Sequence, residues 1–119
     1  GDGAFLSGGL SIEAAFQEQL PIVIVIDNNG GLDCISQQQE RLFASGKHFA
    51  TDFRDIPFHK LMEGLGGYGE LVEQEFEIGP AVKRAIASGK PACINVKAKG
   101  VISPIVSATS DKRDKASIE

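Results

Sequence analysis

A chain of 119 residues, 42% hydrophobic and 24% charged, is long enough for one domain with a real core and has the composition of an ordinary soluble protein. Its formal charge of −4, with no basic cluster on any predicted helix, argues against nucleic acid as the main partner. The longest apolar run, residues 22–26, is far too short to cross a bilayer and no signal-peptide pattern is present, so no membrane partner is expected; a cytoplasmic setting is expected from the two cysteines read as free thiols.

The first predicted helix covers residues 10–20, where Leu10, Ile12, Ala14, Ala15, Phe16 and Leu20 fall mainly on one face and Glu13, Gln17 and Glu18 on the other. Ser11 is a possible N-cap, the Gly8-Gly9 pair leaves the true start open, and Pro21 ends the helix because it lacks the backbone donor. The run Ile22-Val23-Ile24-Val25-Ile26 is β-branched without alternation, which predicts a core strand covered on both faces of a parallel sheet. Asn28, Asn29, Gly30 and Gly31 then form a loop that tolerates positive φ and close approach to a ligand.

A short polar helix is expected at 35–43. A helix at 57–65 carries Phe58, Leu61, Met62 and Leu65 inward and is closed by Gly66-Gly67. A strand at 68–72, an amphipathic helix at 78–88 stopped by Gly89, and a strand at 92–96 complete the pattern. Alternation of strand and helix predicts an α/β fold, a parallel sheet with helices on both faces. From residue 98 the character changes. Residues 101–106 are apolar around Pro104, and 107–119 are polar with charges of mixed sign, as in a solvated C-terminal tail.

Two short motifs carry the chemistry. Gly1-Asp2-Gly3-Ala4-Phe5 opens the chain, and Asp27-Asn28-Asn29-Gly30-Gly31 answers it after a helix and a strand, with Asn29 following Asp2 by 27 positions. A turn, a helix and a return strand of that length bring both oxygen-bearing side chains to one edge of a parallel sheet, the edge where α/β sheets bind ligands. Either motif alone is commonly only a turn; together, around a helix and a β-branched strand, they point to a cofactor.

The pairing resembles the fingerprint of thiamine diphosphate enzymes, a Gly-Asp-Gly followed at such a distance by Asn-Asn, and is closest in texture to the acetolactate synthase-like branch. Looser resemblance continues through Gly64-Leu65-Gly66-Gly67 and Lys90-Pro91-Ala92-Cys93-Ile94-Asn95-Val96. The resemblance implies a three-layer αβα, doubly wound, mostly parallel thiamine diphosphate-binding fold over residues 1–97, with 98–119 as an extension. It implies that Asp2 and Asn29 bind Mg²⁺ through their side chains and Gly31 through its carbonyl, the octahedron being completed by diphosphate and water. It implies that Gly1, Gly3 and Ala4 hold the diphosphate through the backbone, and that Gly31 and Leu32 also adjoin the cofactor.

In that family the glutamate that activates the cofactor lies on a separate pyrimidine-binding domain of the same or another subunit, and no catalytic residue is expected in these 119 positions. The chain starts at Gly1 with no initiator Met and reads as a piece of a longer protein, with a strand expected upstream and no activity of its own. A homodimer or homotetramer is implied; FAD is possible in such enzymes but nothing in this segment indicates it. The reaction implied is the making or breaking of C–C bonds beside the carbonyl of 2-keto acids. The alternatives are a 2-hydroxyacyl-CoA lyase, a benzaldehyde lyase-like enzyme, a 2-keto acid decarboxylase, or a noncatalytic domain for another phosphate ligand. Acetolactate synthases commonly carry Met and Gln-Trp-Gln after the Asn-Asn loop. This chain has Leu32-Asp33-Cys34-Ile35-Ser36-Gln37-Gln38-Gln39 there and no Trp anywhere, and Asp27 replaces the usual aliphatic residue.

Other residues read more plainly. Cys34 and Cys93 form no CxxC or Cys/His pattern and are expected as free thiols in a reducing compartment. His48 and His59, without a partner at ligand spacing, are expected as loop or surface histidines, and Glu13, Glu18 and Glu40 as exposed helix residues. Phe43, Phe49 and Phe53 either line a substrate entrance or pack beneath a long loop.

Overall fold

A computed structural model describes residues 1–43, 46–101 and 103–104. The tail expected from residue 107 lies outside them. Three strands, β1 (Val23–Asn28), β2 (Tyr68–Val72) and β3 (Ala92–Lys97), form a sheet in the order β1-β3-β2. Both pairings are parallel, with Val23 and Tyr68 each opposite Ala92. The helices are α1 (Asp2–Gly8), α2 (Glu13–Gln17), α3 (Asp33–Phe43), α4 (Phe58–Gly64) and α5 (Ile78–Ala87), with short 3-10 turns at Gly9–Ile12 and Glu75–Glu77.

Two apolar cores, one on each face of the sheet, make the domain three-layered. On one face Ile12, Ala15, Phe58 and Met62 from the N-terminal helical stretch and α4 pack on Ile26 and Cys93. On the other, Ala81 and Ala85 of α5 pack on Val72, Ala92 and Ile94. Small residues on α5 bring its axis close to the sheet. Gly69 does the same for α4, since a Cβ there would stand 2.0 Å from the His59 carbonyl oxygen. The sheet is thus doubly wound, as the alternation of elements predicted.

Two expectations need correction. The first helical stretch begins at Asp2, not residue 10, and runs on through the 3-10 turn into α2, so Ser11 is internal and caps nothing. Gly3 and Gly8 disfavour a helix by propensity, but tertiary contact decides: the Phe5 ring stacks edge-on against Phe58, centroids 5.4 Å apart. The stretch ends before Pro21, through Gln19 in the left-handed conformation at φ 54.

The strand covered on both faces is β3, not β1. Ala92, Cys93, Ile94 and Asn95 are all fully buried, whereas Val25 keeps 48% of its surface and Ile22 43%. A β-branched run specifies a strand but not its place in the sheet, and among the described residues β1 is an edge.

α3 makes little contact with the sheet, and its one buried residue is Ser36. The segment 46–53 holds it instead. Ser36 Oγ donates to Thr51 Oγ1 at 2.8 Å, and the Phe49 N–H donates to Gln39 Oε1 at 2.9 Å. His48 lies between two carboxylates, Glu40 at 2.8 Å from Nδ1 and Asp52 at 3.1 Å from Nε2, a pairing the linear spacing had not suggested. Its pKa is raised by the hydrogen bond with Asp52 first and that with Glu40 next. Beyond β3, Val101 and Ser103 meet α3: Gln37 Nε2 donates to the Val101 carbonyl and Gln37 Oε1 accepts from the Ser103 N–H.

Candidate metal and diphosphate site

β1 delivers its last residues to the C-terminal edge of the sheet, where side chains alternate between faces. Asn28 turns inward and is buried, and its Nδ2 donates to Asn95 Oδ1 at 3.0 Å. Asn29, the next residue, lines a cavity together with the start of α1. The chain then doubles back against residues 51–53: the Leu32 N–H donates to the Thr51 carbonyl and the Phe53 N–H to the Gly30 carbonyl, each at 2.8 Å. That bridge leaves the Gly31 carbonyl out of the pairing. It also requires glycine at position 31, where a Cβ would lie 2.5 Å from the Thr51 carbonyl oxygen.

Asp2 organises the loop from the opposite side. Its carboxylate is 3% exposed and accepts three backbone N–H groups: Gly3 at 2.8 Å on Oδ1, and Gly30 and Gly31 at 2.9 Å on Oδ2. A carboxylate offers about four lone-pair directions, so one remains. Nearby, Asn29 Oδ1 is buried without any hydrogen-bond partner. A native fold seldom leaves such an oxygen unpaired, and a bound cation is one of the few things that satisfies it.

A cavity of about 280 Å³ opens between these segments. Asp2, Asn29 and Gly31 line it together with Gly1, Gly3, Ala4 and Leu32, so the residues that the resemblance implied for metal and cofactor share one cavity. The Gly3 N–H, expected to face a diphosphate, is turned onto Asp2 Oδ1 here.

Sequence reading missed the acidic cast of the wall, to which Asp27 and Asp33 also belong, with no Lys, Arg or His side chain among the lining residues. The signal was present as Asp27 and Asp33 flanking the loop. Phosphate entering such a wall meets like charge unless a cation accompanies it. Among the described residues no cluster of three His, Cys, Asp or Glu side chains could hold a metal. The oxygens carried by Asp2, Asn29 and Gly31 are instead one carboxylate, one amide oxygen and one carbonyl, the hard type that Mg²⁺ prefers.

Of the remaining candidates, Cys34 reaches this cavity and the others lie apart from it. Cys34 is an exposed free thiol on the cavity wall; Cys93 is buried under α4, its pKa pushed up to about 12 by burial. Phe43 and Phe49 are exposed and neither lines the cavity, while Phe53 packs toward Gly3. His59 is half-buried, its pKa lowered by burial and then by the charge of Lys60, and it meets Asn95 rather than the cavity.

A three-layer parallel domain with a carboxylate-and-amide pocket at the strand ends has the layout of an α/β ligand-binding domain. The chain belongs to the family of thiamine pyrophosphate enzymes, as their C-terminal TPP binding domain, which matches residues 1–96. Over 97 residues, 81% of the chain, it is 36% identical to a probable acetolactate synthase of Mycobacterium bovis and, equally, to the oxalyl-CoA decarboxylase of Escherichia coli. It is 30% identical over 116 residues, 94% of the chain, to the 2-hydroxyacyl-CoA lyase of Oryza sativa. The chain spans 17–19% of the length of these three relatives. No helix among the described residues is long and apolar enough to cross a membrane.

Proposed function

We propose that residues 1–97 are the Mg²⁺- and diphosphate-binding part of a cytoplasmic thiamine diphosphate-dependent enzyme that makes or breaks C–C bonds beside the carbonyl of a 2-keto acid, with 98–119 as an extension. The observation that carries the reading is the buried, partnerless Asn29 Oδ1 beside the Asp2 carboxylate in an acidic pocket. The residues fit the group: Asp2, Asn29 and the Gly31 carbonyl would hold Mg²⁺, and Gly1 and Ala4 would hold the diphosphate through the backbone, joined by Gly3 once its N–H leaves Asp2 Oδ1, with Leu32 against the ring. When bound, thiamine diphosphate supplies a carbon nucleophile and a sink for the electron pair of the broken bond.

What these residues contribute is binding and orientation. The acidic wall selects diphosphate only with its cation, and Leu32 and Ile35 add apolar side chains to it. The proton-moving glutamate belongs to a pyrimidine-binding domain of the same or a partner subunit in a homodimer or homotetramer, so residues 1–119 alone are inactive. A second reading, an acyl-CoA lyase or decarboxylase, is favoured by the absence of any Trp and by the rice lyase matching 94% of the chain. Turnover of pyruvate against acyl-CoA substrates by the intact protein separates the two. Asp2→Ala in the intact protein abolishes Mg²⁺-dependent binding of thiamine diphosphate, measured by calorimetry; unchanged affinity would falsify the assignment.

A further inference from the structure

We infer that Asn95, in the middle of the central strand, is a positioning residue for the cation site: it fixes Asn28 and thereby aims Asn29 into the pocket. The inference rests on the reading of Asn29 as a metal ligand. Asn95 is 0% exposed and follows Cys93 and Ile94, also fully buried, so an apolar side chain would be the simpler occupant. Both ends of its amide are used. Oδ1 accepts from Asn28 Nδ2 at 3.0 Å, and Nδ2 donates to His59 Nδ1 at 3.3 Å, which sets the ring as its Nε2–H tautomer.

Asn28 is the last residue of β1, and its side chain reaches into the core under α4, where Nδ2 also meets the Ile56 carbonyl at 3.4 Å. Its backbone carbonyl accepts from the Ala98 N–H at 3.0 Å. Asn28 is therefore gripped on both backbone and side chain at the point where the strand ends. The next residue leaves the sheet with its direction already determined, and that residue is Asn29, whose Oδ1 is buried without a partner. A chain of three side chains from α4 through β3 to β1 holds the amide oxygen in place although none of the three lines the cavity. Outer groups of this kind typically change metal affinity by about 10–100-fold when removed.

The test uses Mn²⁺, titrated by electron paramagnetic resonance into the intact protein with thiamine diphosphate present, alongside thermal unfolding without cation. Asn95→Leu keeps an apolar-compatible volume and weakens Mn²⁺ binding by about tenfold. Val72→Ala, in the core beneath α5, lowers the unfolding midpoint but leaves Mn²⁺ affinity unchanged, so loss of stability alone does not move the readout. Asn29→Ala weakens Mn²⁺ binding at least as much as Asn95→Leu, and the double variant is no weaker than Asn29→Ala. Should Asn95→Leu not fold, Asn95→Val carries the same comparison. Wild-type Mn²⁺ affinity in the Asn95 variant, or losses that add fully in the double variant, overturns the positioning role. If Asn29→Ala itself leaves Mn²⁺ binding unchanged, Asn29 is not a ligand and the inference falls with that reading.

Discussion

Replacing Gly31 by alanine tests how the loop is built, independently of any ligand. The new Cβ would lie 2.5 Å from the Thr51 carbonyl oxygen and 3.4 Å from the Asp52 Cα, both backbone atoms with little freedom to withdraw. The loop must lift, breaking the Leu32-to-Thr51 and Phe53-to-Gly30 hydrogen bonds and pulling the Gly31 N–H off Asp2. Two neutral bonds at about 1 kcal/mol each and a charge-assisted one at about 1.5 give about 3.5 kcal/mol. Read by amide hydrogen exchange, that is a loss of protection of roughly 300-fold at Leu32 and Phe53. Gly30→Ala is the control: its φ of +82 strains alanine by about 1–2 kcal/mol, but nothing stands within 4 Å of the new methyl. If Leu32 and Phe53 stay as protected in Gly31→Ala as in wild type, or if Gly30→Ala opens the loop more, the steric argument is wrong.

Two further outcomes are expected. Iodoacetamide near neutral pH alkylates Cys34, exposed on the cavity wall, and spares Cys93 in the folded protein; Mg²⁺ with thiamine diphosphate slows the Cys34 reaction, and mass spectrometry of the digested protein reads both sites. The raised pKa of His48 means that the folded state holds the proton more tightly than the unfolded one. Its contribution to stability is fully present below the ordinary imidazole value near 6.5 and is lost as pH rises through the raised folded value. The unfolding midpoint of wild type therefore falls relative to His48→Gln above that pH, and parallel curves for the two proteins would rule the clamp out as a source of stability.

The sequence made the layers legible because each element has a distinct pattern. The β-branched run of β1, the Gly-closed helix before β2 and the short apolar run of β3 each name their own secondary structure. Their order in the sheet depends on contacts between segments far apart in the chain, so nothing local could say that β3 and not β1 lies at the centre. The N-terminal helix was hidden for a similar reason: its glycines argue against it and only Phe58 argues for it. At the site, Asp2 and Asn29 were legible through their residue types and spacing. The His48 pair with Glu40 and Asp52, and the link from Asn28 to Asn95, were not, since each joins elements that come together only after folding.

The grip of Asp2 on Gly30 and Gly31 has a consequence for how a ligand would be received. Because these N–H groups are already gathered on one carboxylate, the loop's conformational entropy is surrendered when the chain folds and not when a cation arrives. A cation received there would dock into a preformed cradle, with a small heat-capacity change.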